Sequence, residues 1–149
     1  MSKHARMALL ATTLITAAAP ALADDELVFH AIPGGNLPFS EAVRVDDLLF
    51  LSGMLGNQPG TSTLVAGGIQ AETRQTLENI KAVVLKHGST MDRVLKCTVF
   101  LADMAEWGAM NEVYVTFFPV NKPARSALGA SGLALGARVE IECIAHIDD

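Results

Sequence analysis

The chain reads as an α+β domain built on a mixed β-sheet. Short apolar segments with two-residue alternation lie towards both ends, and two longer segments between them repeat at the helical period. The resulting order is strand, strand, helix, strand, helix, strand, strand. Two strand-to-helix steps allow a right-handed crossover, and pairing of the two end strands makes the sheet mixed. With 149 residues, 50% hydrophobic and 18% charged, the length suits one globular domain and is short for two.

The first 23 residues stand apart from that domain. Lys3, His4 and Arg6 form a basic start, Met7 to Ala19 is apolar, and Ala21-Leu22-Ala23 is a small-x-small site before Asp24-Asp25-Glu26. This pattern predicts a secretory signal peptide over 1–23, cleaved after Ala23, a domain over 24–149, and a secreted or periplasmic protein. The apolar run is shorter than the roughly 20 residues that a membrane-spanning helix needs, so no membrane segment is expected after cleavage. Removing Lys3 and Arg6 takes the net charge from −5 to −7. Nucleic acid is thereby disfavoured as a partner, because phosphate binding calls for a basic patch.

The domain opens with a Pro/Gly-rich lead-in, Ile32 to Pro38, followed by a strand at Ala42 to Val45. A turn at Asp46-Asp47 and a strand at Leu48 to Ser52 complete a hairpin. After a polar loop from Gly53 to Gly68, Ile69, Thr73, Leu77, Ile80 and Val84 share one face of a helix that Gly88 stops. Glu78, between Arg74 and Lys81, belongs to its solvated face. A strand from Arg93 to Ala102 follows. Asp103 and Glu106 fit a capping box opening a second helix from Met104 to about Phe118, with an apolar stripe of Trp107, Met110, Val113, Tyr114, Phe117 and Phe118. Pro119 and Pro123 end it.

Cys97 and Cys143 fall in strands, on faces shared with Leu95, Val99 and Leu101 and with Ile141 and Ala145. They read as buried free thiols acting as small hydrophobes, a disulfide being the alternative that sequence leaves open. Two cysteines make no zinc site, and His30, His87 and His146 lack ligand spacing, so no metal is expected.

The chemistry concentrates near the end of the chain. Pro123-Ala124-Arg125-Ser126-Ala127 and Val139 to Ala145 are strand-like runs separated by a Gly-rich loop, yet they carry Arg125, Glu140 and Glu142. Charges in buried strands are costly unless paired or used. A guanidinium fork can grip a small carboxylate, and a nearby acid can position or deprotonate water. Without further information, a structural ion pair between Arg125 and Glu140 is equally compatible.

These residues, taken with several others, resemble one family. Pro38-Phe39-Ser40-Glu41-Ala42-Val43, Leu49 to Gly53, Thr73 to Ile80, Val94 to Asp103, Asn111-Glu112-Val113-Tyr114, Pro123 to Ser126 and Val139 to Ala145 together are similar to the reactive intermediate deaminase (RidA/YjgF) family. The resemblance implies a chorismate-mutase-like α+β fold with two helices on one face of the sheet, assembled as a homotrimer with sites between subunits. It implies hydrolysis of 2-imino or enamine acids to 2-keto acids and ammonia, with no cofactor.

Carried over by motif, Arg125 binds the substrate carboxylate and Glu140 positions water. Phe39, Ser52, Gly53, Asn111 and Ala127 line the pocket. Phe39 stands where the family has Tyr, Met54-Leu55-Gly56 replaces a more polar run, and Ala127 replaces a Cys found in some members, so the implied pocket is more apolar and lacks that thiol. Two functional classes follow: an imine deaminase, and a trimeric small-carboxylate-binding protein with little turnover.

Overall fold

A computed structural model of the chain describes residues 26–147, so the expected signal peptide lies outside the described residues. The strands are β1 (Leu27–His30), β2 (Ala42–Val45), β3 (Leu48–Leu51), β4 (Met54–Leu55), β5 (Val94–Leu101), β6 (Ala124–Gly129) and β7 (Val139–His146); the helices are α1 (Gly68–Lys86) and α2 (Trp107–Phe117). They form one mixed sheet in the order β1-β2-β3-β7-β5-β6, with β4 also beside β7. Only β5 and β6 run parallel; the other pairs are antiparallel. Both helices lie on one face, and among the described residues no helix is long and apolar enough to cross a membrane.

Alternation along the strands explains the core. Val99, Leu101, Val139, Ile141 and Ala145 turn towards the helices and are buried, as are Leu77, Ile80 and Val84 of α1, Met110 of α2 and Phe118 just after it. Thr73 and Thr76 are buried on α1 because their hydroxyls donate back to the carbonyls of Ile69 and Glu72. The β2–β3 hairpin forms as expected, with Asp46 taking the left-handed conformation at its turn (φ 49°). An Asp tolerates that conformation better than a branched residue.

Several expectations are corrected. The sheet gains β1, which lacks the polar turn that set off the hairpin strands, and β4, which is too short to show an alternating period. The end strands β6 and β7 are not neighbours, because β5 lies between them and pairs with both. Asp103 does cap, accepting from the Ala105 N–H, but it opens a single 3₁₀ turn, Met104–Glu106, before α2 starts at Trp107. Glu106 turns away to pair with Arg138, and Trp107 stays largely exposed. Leu95 is exposed rather than core because the register shifts between Val94 and Lys96, turning Val94 and Cys97 to the same side.

The thiols are also corrected. Cys97 and Cys143 lie directly opposite on β5 and β7 and form a disulfide, buried on the helix-facing side. Sequence could not show this, since it depends on a register that brings two residues 46 positions apart into one cross-strand pair. The bond crosses the centre of the sheet and constrains the unfolded chain. Urea unfolding of the wild-type chain with and without dithiothreitol should show the reduced form less stable by about 2–5 kcal/mol. Coincident curves would mean that the bond contributes nothing.

Candidate functional site

Arg125 lies on β6 opposite Cys97 and therefore faces the helices. Its Nη1 donates to Asn111 Oδ1 at 2.7 Å, and its guanidinium carbon lies 4.7 Å from the centre of the Tyr114 ring. Asn111 and Tyr114, three residues apart, share one face of α2. Together with Gly108, Phe118 and Lys122 these residues line a cavity of about 660 Å³. Ala127, two residues beyond Arg125, lies on the same face and packs against the core. Arg125, Asn111 and Ala127 thus form one half of the expected site.

The other half is built around a break in the sheet edge. Strand β3 ends at Leu51 and β4 begins at Met54; both pair with β7, leaving Ser52 and Gly53 in the gap. Glu140 fills that gap. A Cβ built on Gly53 would lie 2.1 Å from Glu140 Oε1, so only glycine admits the carboxylate. The Ser52 hydroxyl donates to the Ser40 carbonyl at 2.7 Å, and the Ser52 N–H donates to the Glu41 carbonyl at 3.1 Å. Ser52 therefore ties down the segment bearing Phe39, whose ring is half exposed.

Within one chain these halves do not meet. Glu140 pairs with Phe100, three residues from Cys143 along β7, and so points to the face opposite Arg125. No ion pair joins them, and Arg125 has no carboxylate partner among the described residues. The intrachain ion pair that the sequence allowed is absent. Burial, reinforced by the neighbouring charge of Glu142, pushes the Glu140 carboxyl above its ordinary value.

Supporting residues that sequence reading assigned no role hold both halves in place. Glu72, buried on α1, accepts from the Arg138 N–H and fixes the entry to β7 just before Glu140. Asn79 donates to the carbonyls of Leu55 and Asn57, anchoring β4 to α1. Glu41 accepts from Lys86 at 2.7 Å and lies 2.9 Å from His87 Nε2, and the His87 ring stacks obliquely on His30. This cluster clamps the start of β2 to the end of α1. Only the four-residue spacing of Gln75 and Asn79, which are hydrogen-bonded to each other, hinted at any of this. Among the described residues no group of three His, Cys, Asp or Glu is arranged to hold a metal ion.

Two helices over one face of a mixed sheet, with this arginine and glutamate on its last strands, define a class: the family model described as endoribonuclease L-PSP matches residues 30–147, and the chain belongs to this family, the RidA/YjgF proteins. A mouse protein named 2-iminobutanoate/2-iminopropanoate deaminase is 43% identical over 113 residues, spanning 76% of this chain and 84% of that protein. Its human namesake is 39% identical over 113 residues, spanning 76% and 82%. Among solved structures, yeast Mmf1 superposes with a TM-score of 0.77 at 30% identity, covering 83% of this chain and 100% of that one. RidA from an Antarctic Psychrobacter gives 0.72 at 35% identity, covering 81% and 98%.

Two predictions follow from the Glu140 half. A like charge raises a carboxyl pKa, so Glu142→Gln should lower the titration midpoint of the Glu140 carboxyl, followed by carbon-detected NMR; an unmoved midpoint would show that Glu142 is not felt. Gly53→Ala displaces only the end of a flexible side chain. Its unfolding free energy from urea titration should stay within about 1 kcal/mol of wild type, while the Glu140 resonance shifts.

Proposed function

We propose that the chain hydrolyses small 2-imino and enamine acids to 2-keto acids and ammonia, removing reactive intermediates. The observation that carries this reading is Arg125: a guanidinium held by Asn111 and Tyr114, lining a cavity, with no carboxylate partner among the described residues. Relatives at about 40% identity bear the names of imine deaminases, which supports the same chemistry. A planar fork suits a planar carboxylate better than an ammonium would. A protonated imine carbon is already electrophilic. The residues therefore have to hold the acid group, orient one water and take up its proton. Water adds across C=N, the nitrogen leaves as ammonia, and the carbon is left as a ketone.

Glu140 is the acid that positions the water. Since it faces away from Arg125 in its own chain, the working site is assembled by a homotrimer in which Arg125, Asn111 and Ala127 of one copy face Phe39, Ser52, Gly53 and Glu140 of the next. Two features support this. The outer sheet face carries Phe29, Leu48 and Phe50 on neighbouring strands β1 to β3, exposed in the single chain, and a cluster of large apolar side chains suits a partner surface. Arg125 in one half and Glu140 in the other also each lack an ion-pair partner among the described residues. Export to an oxidising compartment is part of the same reading, supported by the basic, apolar and small-residue pattern of 1–23 and by the disulfide.

The test generates 2-iminobutanoate in situ and follows its hydrolysis. Wild type should accelerate the reaction; no acceleration, with 2-oxobutanoate still bound, would point to the carboxylate-binding alternative. Arg125→Ala should lower kcat/KM by about a hundredfold or more, and Glu140→Gln should lower kcat by about 10²–10⁴. Rates that survive Arg125→Ala would remove the assigned clamp. Light scattering should give three times the monomer mass, and mixing the two inactive variants under subunit exchange should restore some activity. A stable, active monomer would overturn the shared site.

A further inference from the structure

We propose that Tyr114 is a positioning residue for this reaction: its ring face sets the plane of the Arg125 guanidinium, while Asn111 sets its edge, so that the remaining donors meet the substrate carboxylate already oriented. The proposal rests on the reading of Arg125 as the carboxylate clamp. Arg125 sits on β6 at the end of the sheet, between the exposed Ala124 and Ser126, and an arginine in such a place ordinarily samples many rotamers. A two-point grip on a carboxylate needs both donors in the carboxylate plane, so ordering the fork before binding removes an entropic cost from the binding step.

The two contacts do different work. The hydrogen bond from Nη1 to Asn111, at 2.7 Å, fixes one corner but still permits rotation about it. The Tyr114 ring, 4.7 Å beneath the guanidinium carbon, removes that rotation by attracting the cation to its face. Tyr114 is itself immobile: it is 7% exposed and packs at 4.8 Å against Phe118, which is 1% exposed. Its hydroxyl is buried without a hydrogen-bond partner among the described residues, so nothing there competes with the ring for Arg125. Burial, opposed by the Arg125 charge, pushes the phenol up to about 12, so it stays protonated near neutral pH and is no general base. The contact that Tyr114 makes with Arg125 is through its ring.

The experiment measures 2-iminobutanoate hydrolysis and, independently of turnover, calorimetric binding of 2-oxobutanoate to the full chain. Tyr114→Leu should weaken 2-oxobutanoate binding and raise KM by about five- to twentyfold, with kcat changed less than about threefold. Tyr114→Met, which fills the space without a π face, should do the same and guards against a Leu variant that folds poorly. Tyr114→Phe should rescue both quantities. In an Arg125→Ala background, Tyr114→Leu should have no further effect on binding.

Unchanged binding in both Leu and Met variants would overturn the proposal, and so would a Phe variant as impaired as Leu. Parallel loss of kcat and thermal midpoint without a change in KM would reduce Tyr114 to a packing role and overturn it too. Should Arg125→Ala itself leave binding intact, the reading of Arg125 fails. Should Arg125→Ala abolish binding while the Tyr114 variants leave it intact, only the positioning role fails.

Discussion

Strand β5 lies between β6 and β7, and the side-chain alternation that it shares with both governs where every charge can go. Cys97 fixes the phase. It is opposite Cys143 on one side and Arg125 on the other, so all three point to the helices. Phe100, three residues on, carries the opposite phase and brings Glu140 with it. A one-residue slip of β7 would turn Glu140 into the core and break the disulfide register. The disulfide and the placement of the two charged residues are thus one structural decision.

Burial decides what those charges can do. A half-buried guanidinium usually finds an acid in its own chain. Here it finds an amide oxygen and an aromatic face, contacts that orient a cation without neutralising it. Glu140 is complementary, with no ion-pair partner among the described residues and with burial and Glu142 both disfavouring its charge. Contrast Glu72, more deeply buried, which accepts an Arg138 N–H and lies near its side chain, or Glu41, which is paired with Lys86 and His87. In Glu41, burial would raise the pKa, but the hydrogen bonds and charges of those two partners outweigh it and lower the value. Glu41 and Glu72, which build the fold, are compensated, whereas Glu140 at the break in the sheet has no ion-pair partner among the described residues.

Much of the architecture was legible because long periodic segments announce themselves. The burial of Ile69, Thr73, Leu77, Ile80 and Val84 on α1 follows the predicted face, and the Asp46-Asp47 turn sits where the polar pair interrupts two apolar runs. β4, of two residues, carries too few positions to show a period, and β1 lacks the polar turn that set off the hairpin strands. Leu95 was misplaced because a bulge breaks the alternation that placed it. The candidate site residues were named as a set through their motifs, but their arrangement was not legible. Which face Arg125 and Glu140 occupy depends on strand order, and placing β6 beside β7 would have hidden their separation. The disulfide and the roles of Tyr114, Glu72 and Asn79 depend on long-range register and packing that local pattern does not encode.

Phe39 shows how the two kinds of information combine. Sequence says that a hydroxyl the family usually carries is missing there. The structure adds that the segment bearing Phe39 is not left loose in consequence, because the Ser52 hydroxyl bonds the Ser40 carbonyl and the Glu41 cluster clamps the next residue to α1. The segment is therefore held by contacts that do not depend on a phenol. In the site proposed above, the missing hydroxyl changes the polarity offered beside the substrate, so its consequence would fall on which substrate side chains are favoured. The proposed carboxylate grip and water-orienting acid stand on other strands, β6 and β7, and would not depend on that hydroxyl.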